Sequence, residues 1–318
     1  MNAGHARHTD WRNLLTTTTH RSIDPATRIG LLSLNVTDLA RSIDFYTNAM
    51  GFALLDQTAD NATLGVGNTP LLVLTGNPGG QPWPGRATGL YHFAILLPTR
   101  ADLGRWLRHW LESGHELPGQ GDHLVSEALY LSDPDGNGIE IYRDRPRSEW
   151  TVTNGRVAMA TDPVDLRGVI EAGDQANLPW TALPEGTTIG HMHLQVRDIP
   201  ETRAFYEGVL GFDVMADMPS ALFLSAGGYH HHLGANIWHS RGASPAPVGY
   251  AGLRYYNVIM PSQPALDEVT ARLDAAGIAY DAAPDGIVVS DPSQNRIYFH
   301  VGAAPKALVE ESDVITFA

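Results

Sequence analysis

Residues 29–52 read IGLLSLNVTDLARSIDFYTNAMGF, and residues 189–212 read IGHMHLQVRDIPETRAFYEGVLGF. The two stretches align without a gap at an offset of 160 residues, from Ile29 and Ile189 through Phe45-Tyr46 and Phe205-Tyr206 to Gly51-Phe52 and Gly211-Phe212. Self-similarity over this length marks a duplicated structural unit. Each copy opens with alternating residues that suit a strand, then places Asp38 or Asp198 where a helix N-cap belongs. An amphipathic segment follows and ends at the glycine. The expected local fold is a strand followed by a helix. Apolar runs broken by glycine come next, ATLGVGNTPLLVLTG from Ala62 and ALFLSAGGYHHHLGANIW from Ala221, and supply further strands.

A second pair of stretches repeats more weakly. GLYHFAILLP from Gly89 with SDPDGNGIEIY from Ser132 matches GLRYYNVIMP from Gly252 with SDPSQNRIYFH from Ser290, and a helical pattern lies inside each pair. The chain therefore reads as four βαβββ units near 29–77, 88–143, 188–240 and 250–301. Residues 29–143 form a first pair of units and 188–303 a second. An Asp-, Pro- and Gly-rich linker over 144–187 joins them, with an N-terminal arm over 1–28 and a C-terminal tail over 304–318.

Composition narrows the function. The chain has no cysteine, so disulfides, thiolate metal sites and cysteine nucleophiles are excluded and any metal must use nitrogen and oxygen ligands. A formal net charge of −14 opposes nucleic-acid backbones and anionic membranes as partners. No apolar run reaches the roughly 18–20 residues of a membrane helix, and the first residues lack a secretory signal's apolar core, so the expected location is the cytoplasm.

The strand–helix signature HxHLxVxDxxxxxxFY from His191, together with GLYHFAILLP and DPDGNGIEIY, resembles the vicinal oxygen chelate superfamily, in particular its extradiol ring-cleaving dioxygenases. The resemblance spans about residues 29 to 301. It implies an α+β fold in which βαβββ units pair into cupped half-barrels with a metal in the cup. In the extradiol enzymes that metal is iron, held by two histidines and a glutamate on separate strands.

Residue by residue, the resemblance places the ligands at His92, Glu140 and His191. The equivalent positions elsewhere are Tyr255, Tyr298 and Leu31. The set is thus split between the second and third units. It becomes complete only if unit two pairs with unit three and unit one with unit four, leaving the other cup blank. Two imidazoles and one carboxylate suit Fe(II), and Mn(II) accepts the same set. The resemblance further implies a catecholic diol and O2 as substrates and association into a homo-oligomer.

Four more residues are catalytic candidates by the same resemblance: Tyr130, ten residues before Glu140; His193, two after His191 and so on the same strand face; His123, in a loop at the cup's mouth; and His231. Read as strand, the run His230-His231-His232 sends either His231 inward or its two neighbours, and the resemblance favours His231. Two rival readings share the fold: a glyoxalase-type metal-dependent isomerase or lyase, and a non-catalytic protein that binds small aromatics.

Overall fold

The computed structural model describes residues 21–302 and Ala307, so most of the expected tail over 304–318 and most of the arm over 1–28 lie outside the described residues. Unit one comprises β1 (Arg28–Val36), α1 (Leu39–Asp44), β2 (Ala53–Gln57), β3 (Asn61–Val66) and β4 (Thr69–Gly76). Unit two comprises β5 (Gly89–Leu97), α2 (Arg100–Glu112), β6 (Gly119–Asp122), β7 (Ser126–Ser132) and β8 (Gly138–Asp144). A short hairpin, β9 (Val152–Thr153) and β10 (Arg156–Val157), and the helix α3 (Leu166–Gln175) occupy the expected linker. Unit three comprises β11 (Thr188–Gln195), α4 (Ile199–Arg203), β12 (Asp213–Met218), β13 (Ala221–Ser225) and β14 (Leu233–Asn236). Unit four comprises β15 (Gly252–Met260), α5 (Gln263–Ala276), β16 (Asp281–Ala283), β17 (Gly286–Ser290) and β18 (Arg296–Val301).

The repeated residues explain the repeated turns. Asp38 and Asp198 accept hydrogen bonds from the backbone N–H groups of Arg41 and Glu201, which caps α1 and α4. Both helices then widen into a single π-type turn, at Phe45–Ala49 and Ala204–Val209, before Gly51 and Gly211 turn the chain at φ of 90° and 86°. Only glycine adopts that conformation without steric cost.

Two eight-stranded sheets form. One runs β16-β17-β18-β15-β1-β4-β3-β2 and joins unit four to unit one; the other runs β12-β13-β14-β11-β5-β8-β7-β6 and joins unit three to unit two. The seams are antiparallel, β1 on β15 and β11 on β5. The exchanged pairing expected from the split ligand set is the pairing found. Between sheets, the tyrosine of each Phe-Tyr pair ties consecutive units together: Tyr46 donates to Asp133 and Tyr206 to Asp291, each at 3.0 Å. Both carboxylates also accept backbone and side-chain N–H groups from their own Asp-Pro turns, which satisfies them in a buried setting.

The 144–187 segment is more than a connector. Its α3 packs on α2 so closely that a Cβ at Gly104 would meet the Val169 carbonyl, and one at Gly173 would lie 2.7 Å from the Arg105 nitrogen. Small residues at that crossing set the approach of the two helices. Arg100 adds a second fastening, donating to both oxygens of buried Glu127 at 2.8 and 3.0 Å and to the Gly168 carbonyl at 2.8 Å.

Candidate metal centre and cavity

Strand register brings the candidate ligands together. Across the β11–β5 seam His191 stands opposite Ala94 and His193 opposite His92; on the other side of β5, Ala94 stands opposite Glu140; and Glu140 in turn faces Tyr130 on β7. Tyr130, Glu140, Ala94 and His191 thus form one row across four strands. His92 is two residues before Ala94 and shares its face. Ala94 contributes only a methyl group at the centre of the row, which leaves room for an ion.

One ligand atom from each of His92, Glu140 and His191 lies within 4.8 Å of the others, and all three residues are buried. His191 Nε2 is 3.2 Å and His92 Nε2 3.1 Å from the same oxygen, Glu140 Oε2. The His92 nitrogen nevertheless makes no hydrogen bond of proper geometry. Burial alone would raise the Glu140 carboxyl, but the adjacent His191 and His92 hold it well below the usual carboxylate range. Burial pushes His191 down to about 4. A buried carboxylate beside a neutral imidazole and an unsatisfied second imidazole nitrogen is a donor set that fits a divalent cation.

The row opens on a cavity of about 730 Å3, within the range that holds small organic ligands. Trp83, Tyr91, Phe223, Trp238 and Met218 supply much of its apolar wall. Met159, Ala160 and Thr161 also line it, so the segment between the two pairs of units forms part of the chamber.

Of the other sequence candidates, His123, Tyr130, His193 and His231 all line this cavity. His123 Nδ1 donates to the Ala160 carbonyl at 2.7 Å, and its Nε2 lies 2.6 Å from the Tyr130 hydroxyl. A carbonyl can only accept, so in the neutral ring Nε2 carries the lone pair and receives the Tyr130 O–H. Asn236 Oδ1 accepts the Trp238 N–H at 3.1 Å, which turns its Nδ2 toward His193 Nε2 at 3.1 Å. That leaves no free lone pair at His193 Nε2.

The triple histidine departs from the strand reading. Residues 229–232 form an irregular turn between β13 and β14, so two-residue alternation does not apply. His230 and His231 both line the cavity and meet Nδ1 to Nδ1 at 2.8 Å, whereas His232 turns away to Ser225 Oγ and the Ala226 N–H. Sequence reasoning missed Tyr142, Asp144 and Tyr229, which are hydrogen-bonded behind the site, because nothing in their spacing distinguishes them from ordinary strand and loop residues.

In the other sheet the equivalent positions are filled. Leu31, Tyr255 and Tyr298 pack with Val73 and Val288 into a small apolar cluster where the ligands would stand. One cup carries polar chemistry and the other is core.

Paired βαβββ units closing on a buried cluster of two histidines and one carboxylate define a metal-site scaffold. The chain belongs to the Glyoxalase/Bleomycin resistance protein/Dioxygenase superfamily, whose pattern it matches over residues 28–141 and 188–299. It is 49% identical over 277 residues to a catechol-2,3-dioxygenase of Bacillus subtilis (strain 168), covering 85% of this chain and 96% of that one. Among solved structures, one from Bacillus subtilis subsp. subtilis str. 168 superposes with a TM-score of 0.58 at 13% identity over 89% of this chain and 86% of that one. Glyoxalase I from Zea mays does so with 0.52 at 17% over 87% and 92%. At such identities the structural likenesses speak for the fold alone. Among the described residues no helix is long and apolar enough to cross a membrane.

Proposed function

We propose that this chain is an extradiol dioxygenase that opens the ring of catechol or a substituted catechol with O2, using one Fe(II) held by His92, Glu140 and His191. The observation that carries the reading is the ligand row itself: two imidazoles and one carboxylate from three strands, buried together, with His92 and Glu140 lining a largely apolar cavity. The 49% identical relative named as a catechol-2,3-dioxygenase supports it. When bound, the ion supplies adjacent open coordination positions for the diol and dioxygen and a route for electron density between them. Mn(II) accepts the same donors, and iron is the reading preferred here.

The protein's own residues do the rest. Glu140 balances part of the cation's charge inside the dry row. Tyr130, its hydroxyl proton engaged by His123, presents oxygen lone pairs toward a diol hydroxyl and orients it. His231 is the better placed base, since His193 Nε2 is occupied by Asn236. Burial holds the His231 ring well below the ordinary histidine pKa, so it stands neutral with a nitrogen lone pair to offer. The aromatic wall accepts the ring of the diol and excludes water from the reacting face.

A glyoxalase-type isomerase has no specific support here, because the cluster contains one carboxylate. The test is anaerobic loading of the purified protein with Fe(II), then addition of catechol and air-saturated buffer. Uptake of one O2 per catechol with a yellow ring-opened aldehyde product is expected. Catechol left intact, with no oxygen consumed across a panel of diols, would overturn the assignment.

A further inference from the structure

Two hydrogen-bonded chains leave the site by different routes and meet at one carboxylate. From the cavity, His231 Nδ1 meets His230 Nδ1 at 2.8 Å, and His230 Nε2 meets Asp144 Oδ1 at 2.9 Å. From the ligand row, His191 Nδ1 lies 3.3 Å from the Tyr142 hydroxyl, Tyr142 is 2.8 Å from the Tyr229 hydroxyl, and Tyr229 donates to Asp144 Oδ2 at 2.9 Å. Gly190 makes the second route possible, because a Cβ there would collide with the Tyr142 hydroxyl.

We propose that Asp144 is a positioning residue that sets the ring orientation and tautomer of both His231 and His191. The direction of each chain follows from the acceptor at its end. An ionised carboxylate can only accept, so His230 Nε2 and the Tyr229 hydroxyl must both donate to it. With its Nε2 protonated, neutral His230 offers a lone pair at Nδ1, and His231 must supply the proton there. His231 Nε2 then holds the lone pair. In the other chain Tyr229 is committed as donor, so Tyr142 donates to Tyr229 and accepts from His191 Nδ1–H. His191 Nε2 then holds a lone pair aimed at the ligand row, as a metal ligand requires.

The same chain accounts for a proton. When a diol hydroxyl gives its proton to His231 Nε2, the Nδ1 proton passes to His230 Nδ1, and the resulting imidazolium is paired with Asp144. The charge ends on His230 at the cavity wall, beside a carboxylate whose side chain is 25% exposed. Asp144 is four residues past Glu140 at the end of β8, so the strand that contributes the ligand also contributes the anchor.

This inference rests on the ring-cleaving reading for the role of His231, but its structural half does not. The test uses full-length wild type, Asp144→Asn and Tyr229→Phe, with histidine ring nitrogens labelled and the His231 tautomer read by NMR on metal-free protein. Fe(II) dissociation constants and turnover are measured on the same samples. An amide accepts on one side only, so Asp144→Asn must reverse one chain. The expected result is either His231 switched to its Nε2–H form, with kcat down about 100-fold at little change in KM, or Fe(II) affinity lowered about 10-fold or more. Tyr229→Phe should weaken Fe(II) binding by a similar factor and leave the His231 tautomer as in wild type. A folded Asp144→Asn protein with wild-type tautomer and wild-type Fe(II) affinity would overturn the proposal, whether or not the enzyme cleaves catechol.

Discussion

His92 and His193 face one another across the antiparallel seam of β5 and β11, their ring centroids 4.8 Å apart, although they belong to different halves of the chain. The site therefore exists only because units two and three share a sheet. That relationship makes the consequences of substitution unequal between the two cups.

Tyr130→Phe removes the hydroxyl that lies 2.6 Å from His123 Nε2 and that the proposed function sets against the diol. Turnover should fall about 10- to 100-fold, with metal content unchanged, as steady-state oxygen uptake and metal analysis would show.

The blank cup should behave as core. Tyr298→Glu replaces a side chain only 2% exposed with a carboxylate among Leu31, Val73, Tyr255 and Val288. An unpaired buried charge should cost roughly 3–5 kcal/mol, read as a lower urea midpoint. Bound metal per folded chain should be unchanged.

Glu127 holds Arg100, which fastens the segment joining units two and three, and also meets Arg143 Nε at 2.7 Å. Burial would raise its carboxyl, but the two guanidiniums overcome that and hold it below the ordinary value. A depressed folded pKa contributes stability that is present above the unfolded value, about 4.3, and is lost as pH falls through the folded one. Glu127→Gln should therefore cost about 3 kcal/mol at pH 7, and the gap to wild type should begin to narrow below about pH 4.3 and close as pH falls through the lower folded value. Urea titrations over this pH range check this.

Gly104→Val places a branched side chain where α2 meets the backbone of α3. The helices must separate, so the melting temperature should drop by several degrees, as from about 1–3 kcal/mol of overpacking. Because α3 follows the cavity-lining residues 159–161, the KM for catechol should rise as well.

Much of this was readable before any coordinates. The 160-residue repeat and the asymmetric placement of His92, Glu140 and His191 indicated both the units and their exchanged pairing, since a split ligand set is complete only in that arrangement. The turn at 229–232 was not readable. Three histidines after Gly227-Gly228-Tyr229 look like strand, and only the folded turn, with His230 held by Asp144, brings His230 and His231 to the cavity together. Nor could Asp, Pro and Gly content reveal that residues 159–161 wall the chamber, because that depends on where α3 docks. Asp144 was silent for the same reason: its partners Tyr229 and His230 are more than eighty positions away in the chain.

The most direct measurement is iron bound per chain after anaerobic reconstitution and desalting, for wild type, His92→Ala, Glu140→Ala and His191→Ala, with circular dichroism confirming the fold of each. One Fe(II) per wild-type chain and its loss in all three variants, with ring cleavage lost in parallel, is the predicted result. Full iron occupancy in either histidine variant would contradict a site built across the seam of units two and three.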